Sequence, residues 1–151
     1  MAADHPSIHA SAVLVGVRAL LIQGPPGAGK SRLALALLQG ADTGALRFAR
    51  LVADDRALIE PVHGRLLVRP APALAAMVEV RGLGIRRVAY EPVAEVGLLV
   101  ELAARDGDRL PEPASRVAEI AGIRLPRLAV AAGVDPLPLV LAYLQTEDAI
   151  P

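Results

Sequence analysis

Gly24-Pro25-Pro26-Gly27-Ala28-Gly29-Lys30-Ser31 fills the pattern G-x-x-x-x-G-K-[ST]. The pattern has a mechanism. A loop whose N–H groups converge on phosphate oxygens needs glycine where the backbone is strained or crowded. The helix that follows adds partial positive charge at its N-terminus, near Ser31. Lys30 has the reach for the β- and γ-phosphates of a nucleotide, and the Ser31 hydroxyl has the chemistry of a Mg²⁺ ligand. The flanks agree. The apolar run 19–22 precedes the loop as a strand, and the Leu/Ala-rich run 31–39 follows it as a helix, with Gly40 as its expected stop. The bland alternative is a Gly-Pro turn that happens to carry a lysine. Composition argues against it: 15 of the 16 basic residues are arginine, and Lys30 is the one lysine. A compact ammonium suits a cradle for a single point charge; a planar guanidinium does not.

Working outward, runs 12–15 and 19–22 read as a hairpin joined by Gly16-Val17-Arg18. Residues 41–50 form a polar, Gly-containing connection, and 51–53 a short strand ending in Asp54-Asp55. Runs 57–60 and 66–68 flank a second turn in which His63 has no role beyond the turn. The spacing predicts a short helix over 74–80, a loop at Arg81-Gly82-Leu83-Gly84, a strand over 96–102 and an exposed loop over 105–115. Asp135 and Pro136 suit the start of a last helix over 137–145. The fold class is therefore α/β.

The 151 residues suit one domain spanning 1–151. Apolar residues make up 54% and aromatics 2%, so Leu, Val, Ala and Ile must fill the core. Acids and bases balance at 16 each, which argues against a nucleic-acid partner, since that needs a basic footprint. Without cysteine there is no disulfide framework and no thiolate metal site, as suits a cytoplasmic location. The start, Met1-Ala2-Ala3-Asp4-His5-Pro6, lacks the basic opening and apolar run of a signal peptide. Arg or Gly breaks every apolar stretch well before 18 residues, so no membrane span is expected.

Beyond the loop, Asp54-Asp55 ends an apolar run. A carboxylate there serves a metal or positions a nucleophile; the equal alternative is a turn closing a strand. Glu79 precedes Val80-Arg81-Gly82-Leu83-Gly84-Ile85, whose two glycines suggest a tight loop with a close backbone approach. The plain alternative for Glu79 is a solvated helix end. His9 lies before the first strand, four residues after His5; Pro6 and the β-rich run that follows argue against a helical metal pair, which leaves surface histidines. Arg81, Arg86 and Arg87 form a basic cluster that meets a phosphate or an acidic partner, or is a solvated face.

His9, the loop 24–31, Leu51-Val52-Ala53-Asp54-Asp55 and Glu79-Val80-Arg81-Gly82-Leu83-Gly84-Ile85, in this order, resemble the catalytic domain of the HPr kinase/phosphorylase family over residues 8–102. The resemblance implies the P-loop fold of the HPr kinase/phosphoenolpyruvate carboxykinase-like type, a mixed sheet with flanking helices. It implies ATP and Mg²⁺ as cofactors and transfer of phosphate to a serine of HPr, the small phosphocarrier of the phosphotransferase system. Residues Gly24, Pro25, Pro26, Gly27, Ala28, Gly29, Lys30 and Ser31 would hold the nucleotide, and Ser31 and Glu79 the metal. Asp55 would be the general base, supported by Asp54, with His9 near the phosphates. Arg109 would be a further catalytic arginine, with Arg105 its rival.

The chain also departs from the family. The extra N-terminal domain of full-length members is not expected, as in a short form. The segment 41–50 is longer than usual. The C-terminal Arg-Pro-Gly-Arg-Asn motif, tied to the reverse reaction in which inorganic phosphate attacks phosphoserine and pyrophosphate leaves, is not present. Leu125-Pro126-Arg127-Leu128 stands near its place, with Arg127 a partial substitute. The reverse reaction is therefore expected to be weak. Two other classes stay open: a small-molecule P-loop kinase and a non-catalytic ATP-binding regulatory module.

Overall fold

Alternation along one strand organises the molecule. In the run Arg18–Gln23, Ala19 and Leu21 enter one apolar cluster while Leu20 and Ile22 enter another. A strand buried on both faces reads as a continuous apolar run, as this one does. The computed structural model describes residues 5–149; the reading of residues 1–4 as lacking a signal peptide lies outside that span.

In chain order the strands are β1 (Ser7–Ile8), β2 (Ser11–Val15), β3 (Arg18–Gln23), β4 (Ala49–Ala53), β5 (Ala57–Val62), β6 (Arg65–Pro70), β7 (Met77–Val80), β8 (Gly84–Arg87), β9 (Ala94–Leu102), β10 (Val117–Ile120) and β11 (Ile123–Val130). The helices are α1 (Lys30–Asp42) and α2 (Pro136–Gln145). The main sheet runs β1-β5-β6-β9-β3-β2-β4, with β11 also parallel to β9 and β10 antiparallel to β11. It is mixed: β3 is parallel to β9 and antiparallel to β2. Strands β7 and β8 form a separate two-stranded sheet.

Leu33, Ala34 and Leu37 of α1 and Val140 of α2 pack on Leu20, Ile22, Leu98, Val100 and Val130, so both helices cover one face. On the other face Ile59, Leu66 and Val68 of β5 and β6 close over Leu21, Val52 and Leu99. Truncating Leu21, which is fully buried, to Ala would cost about 2–5 kcal/mol.

Several expectations need correction. Residues 74–80 are not a helix: Pro72–Leu74 make one 3₁₀ turn, Ala76 takes a positive φ of 66°, and β7 follows. The β-branched alternation of Val78 (buried), Glu79 (exposed) and Val80 outweighs the helix propensity of Leu74-Ala75-Ala76. Gly40 does not stop α1, which runs on to Asp42 and is capped at Thr43; Leu46 packs against Gly40 instead. Strands β10 and β11 were not foreseen. Pro126 masks them, because it sits where β11 passes from pairing with β10 to pairing with β9, and a missing N–H is tolerated at such a junction. The last helix follows expectation, with the Asp135 side chain accepting from the Leu137 N–H at 3.1 Å.

Candidate active site

The loop between β3 and α1 is shaped for an anion. A Cβ on Gly24 would lie 3.0 Å from Leu102 Cβ, so the loop can enter so close to β9 only as glycine. Gly29 closes it in the left-handed region at φ 102°. Helix α1 then starts with no side-chain cap and no acidic residue in its first turn. Its first amides are thus left for an external acceptor, which the helix dipole also favours. Lys30 is only 8% exposed. Its Nζ donates to the carbonyl oxygens of Gly24 (2.9 Å) and Pro25 (3.4 Å), and no carboxylate pairs with it among the described residues.

Asp54 organises the opposite wall. It directly follows β4, and it is almost wholly buried. Oδ1 accepts from Ser31 Oγ at 2.7 Å and Ser11 Oγ at 2.8 Å, and Oδ2 accepts from the Glu79 N–H at 3.1 Å. The Asp55 N–H donates to Ser11 Oγ at 3.1 Å, so Asp54 and Ser11 together hold the Asp55 backbone. That backbone is left-handed, at φ 64°, a conformation that Asp tolerates better than most residues.

A cleft of about 460 Å³ results, lined by Lys30, Ser31, Arg32, Asp55, Glu79 and Arg81 along with the loop. Its donor set is hard oxygen: the Ser31 hydroxyl with the Asp55 and Glu79 carboxylates, while Asp54 stands behind Ser31. Among the described residues no three acidic or imidazole groups converge into a metal cage. Mg²⁺ does not require one, since one or two carboxylates and the substrate's phosphates usually hold it.

The structure therefore brings Gly24 through Ser31, Asp54, Asp55 and Glu79 together. His9 is not in the cleft wall; its side chain is exposed, one residue before Ala10, whose N–H donates to the Asp55 carbonyl at 3.1 Å. Arg105 and Arg109 are both exposed and make no side-chain bond among the described residues, so nothing selects between them. Arg127 is not a free stand-in for the missing arginine motif. Its guanidinium donates to Glu101 (Nε, 2.7 Å), to both oxygens of Asp106 (2.8 and 2.9 Å) and to the Ser115 carbonyl (2.8 Å). It also lines a different cleft, of about 720 Å³, that shares no residue with the first. The pair of glycines in the 81–84 segment serves the turn of the β7–β8 hairpin, with φ of 92° and 94°, and a Cβ at either would meet nothing within 4 Å; the expected close approach is not there.

Sequence reasoning missed Ser11 and Arg32. Ser11 is fully buried; the only signal was a hydroxyl at the head of an otherwise apolar strand.

A strand, a glycine-rich cradle and an uncapped helix beside a strand-end Asp define a P-loop protein. The chain belongs to the HPr Serine kinase C-terminal domain family, whose model matches residues 1–131. It is 35% identical over 140 residues to the HPr kinase/phosphorylase of Streptococcus gordonii, covering 85% of this chain and 42% of that one. To the HPr kinase/phosphorylase of Streptococcus thermophilus it is 31% identical over 139 residues, covering 85% and 43%. The chain thus spans about two fifths of the length of these curated relatives. The solved Hpr(Ser) kinase/phosphatase from Coxiella burnetii superposes with a TM-score of 0.72 at 25% identity, covering 93% of this chain and 88% of that one.

Proposed function

We propose that this chain is a single P-loop kinase domain, 1–151, that transfers the γ-phosphoryl group of ATP to a serine of an HPr-like phosphocarrier in the cytoplasm. The observation that carries this reading is Lys30: a nearly buried ammonium with only carbonyl partners, at the mouth of an uncapped helix. A buried charge without a counter-charge is costly unless a ligand supplies one, and a nucleotide phosphate does so here. No helix is long and apolar enough to cross a membrane among the described residues.

In this reading the loop 24–31 binds the β- and γ-phosphates. Ser31 and Glu79 are the residues that would hold Mg²⁺, which, when bound, neutralises phosphate charge. Asp54 fixes the Ser31 hydroxyl by accepting its hydrogen, which leaves the Oγ lone pairs free. The seryl oxygen of the acceptor attacks the γ-phosphorus, the bond from that phosphorus to the bridging oxygen breaks, and ADP leaves. Asp55 takes the seryl proton. His9 and Arg109 are the further residues this reading assigns to catalysis, although neither lines the cleft. Run backwards, with inorganic phosphate in the cradle and pyrophosphate leaving, the reaction is weak, because Arg127 is already committed to Glu101 and Asp106.

The test is incubation with γ-labelled ATP, Mg²⁺ and HPr, followed by phosphosite mapping. Label on an HPr serine is expected. Label on a small molecule alone, or ATP binding with no transfer, would replace this reading with one of the two other classes.

A further inference from the structure

The β7–β8 hairpin stands at the lip of the cleft and is far more apolar on its outside than its position needs. Leu83 is 68% exposed and Ile85 64% exposed, and every residue of β8 is exposed. Arg81, Arg86 and Arg87 are exposed as well, and none pairs with an acid among the described residues. Between Val80 and Tyr90 there is no acidic residue at all, in a chain whose net charge is zero. Such a local excess, rimming exposed apolar side chains, marks an interaction surface rather than a solvated face.

Register ties this surface to the chemistry. Ile85 is directly opposite Glu79 across the hairpin, so the two share a face, and Glu79 lines the cleft. The base of the hairpin is fastened to the catalytic wall by the bond from the Glu79 N–H to Asp54. A partner seated on Ile85 and Leu83 therefore lies beside Lys30, Asp55 and Ser31.

We propose that Leu83, Ile85 and Arg87, the last two on the Glu79 face, form the docking surface for the acceptor protein, with the charge of Arg86 added from the hairpin's other face; the acceptor meets them with an apolar patch flanked by carboxylates. This rests on the kinase reading above. Charge complementarity fixes the occupant as an acidic protein surface: a second copy of the hairpin would set arginines against arginines.

The test compares the parent with two double variants, Leu83→Ser with Ile85→Ser, and Arg86→Glu with Arg87→Glu. All four positions are exposed, and ATP affinity reports whether each variant is folded. For intact HPr, KM is expected to rise about tenfold or more in each variant, with kcat and ATP affinity little changed. In the parent KM should rise with salt, and this dependence should be lost in the charge-reversed variant. Calorimetric binding of HPr, without transfer, separates the two readings. Binding by the parent that disappears in the variants supports docking even where no serine is phosphorylated. Transfer with KM and affinity within twofold of the parent in both variants overturns docking and leaves the kinase reading standing.

Discussion

Charged side chains anchor two opposite parts of this sheet, and they are satisfied in opposite ways. Arg127, on β11, is neutralised within the chain by Glu101 and Asp106 and finished off by the Ser115 carbonyl. Asp54, at the end of β4, accepts only from neutral donors: two hydroxyls and one amide. Lys30, on the other wall of the same cleft, donates only to carbonyls. The chain thus keeps an unneutralised anion and cation at one place and spends its charge at the other. Desolvated charge without a counter-charge is expensive, so it persists where a ligand completes it. Charge compensated inside the chain marks scaffold.

The sharpest way to break this contrast is at Asp55. Asn keeps the size but cannot accept the seryl proton, so Asp55→Asn should lower the transfer rate by about 10²–10⁴ with ATP still bound. Rapid-quench transfer and equilibrium binding measure the two separately. Normal turnover in Asp55→Asn together with a dead Asp54→Asn would reverse the assignment of the pair.

Lys30→Ala comes next. Loss of a charge-assisted bond to phosphate should weaken ATP binding by about 1.5–3 kcal/mol, one to two decades in Kd, and abolish transfer. The matching change at the other hub, Arg127→Met, should leave ATP affinity unchanged. It should instead lower stability by about 1 kcal/mol, or a few degrees in Tm, since it removes the bonds that join β11 to Glu101, Asp106 and the Ser115 carbonyl, while the two part-exposed carboxylates are taken up by water. Calorimetry and ATP titration on both variants give the contrast. If Lys30→Ala binds ATP within twofold of the parent, the cradle reading fails.

The same contrast explains what the sequence could tell. The P-loop was legible because each of its residue types has a local cause: Gly24 for close approach, Gly29 for φ, Lys30 as the compact ammonium nearly buried at the loop's end. The β2–β3 hairpin and the last helix were legible from alternation and from Asp135-Pro136. The Arg127 hub was not, because Glu101, Asp106 and Arg127 are drawn together only once β11 lies parallel beside β9, and the strand itself is masked by Pro126. Ser11 was hidden in the same way. Its partners, Asp54 and Asp55, are more than forty residues away, joined to it by strand pairing that no local pattern reveals.

A smaller effect is expected at Glu79. Glu79→Gln should raise the Mg²⁺ concentration needed for half-maximal transfer several-fold, with Tm unchanged, because its side chain is exposed while its backbone N–H still holds Asp54. An unchanged Mg²⁺ titration would return Glu79 to the role of a solvated strand residue.

The smallest effect lies in acid stability, and it tests the scaffold side of the contrast alone. Hydrogen bonds from Arg127 hold the Asp106 carboxyl below its ordinary value of 3.8, against a weaker upward push from desolvation. The same bonds raise Arg127 far above any pH of interest, so the arginine stays charged throughout and does not itself titrate. The sign then follows for Asp106. A group whose folded pKa lies below its unfolded one contributes stability that is fully present above the unfolded pKa and lost as pH falls through the folded one. In Arg127→Met the cause of the depression is gone, and with it that share of the pH dependence. The Tm gap between parent and variant should therefore be widest near neutrality and narrow steadily from about pH 4 downward. Asp106 is about half exposed, with 47% of its side chain accessible, which keeps the change small. Paired thermal scans at matched ionic strength from about pH 7 to about pH 2.5 resolve it. A gap that stays constant over that range would mean that Arg127 stabilises through its packing and its bond to the Ser115 carbonyl, and that its neutralisation by Asp106 is not what holds β11 in place.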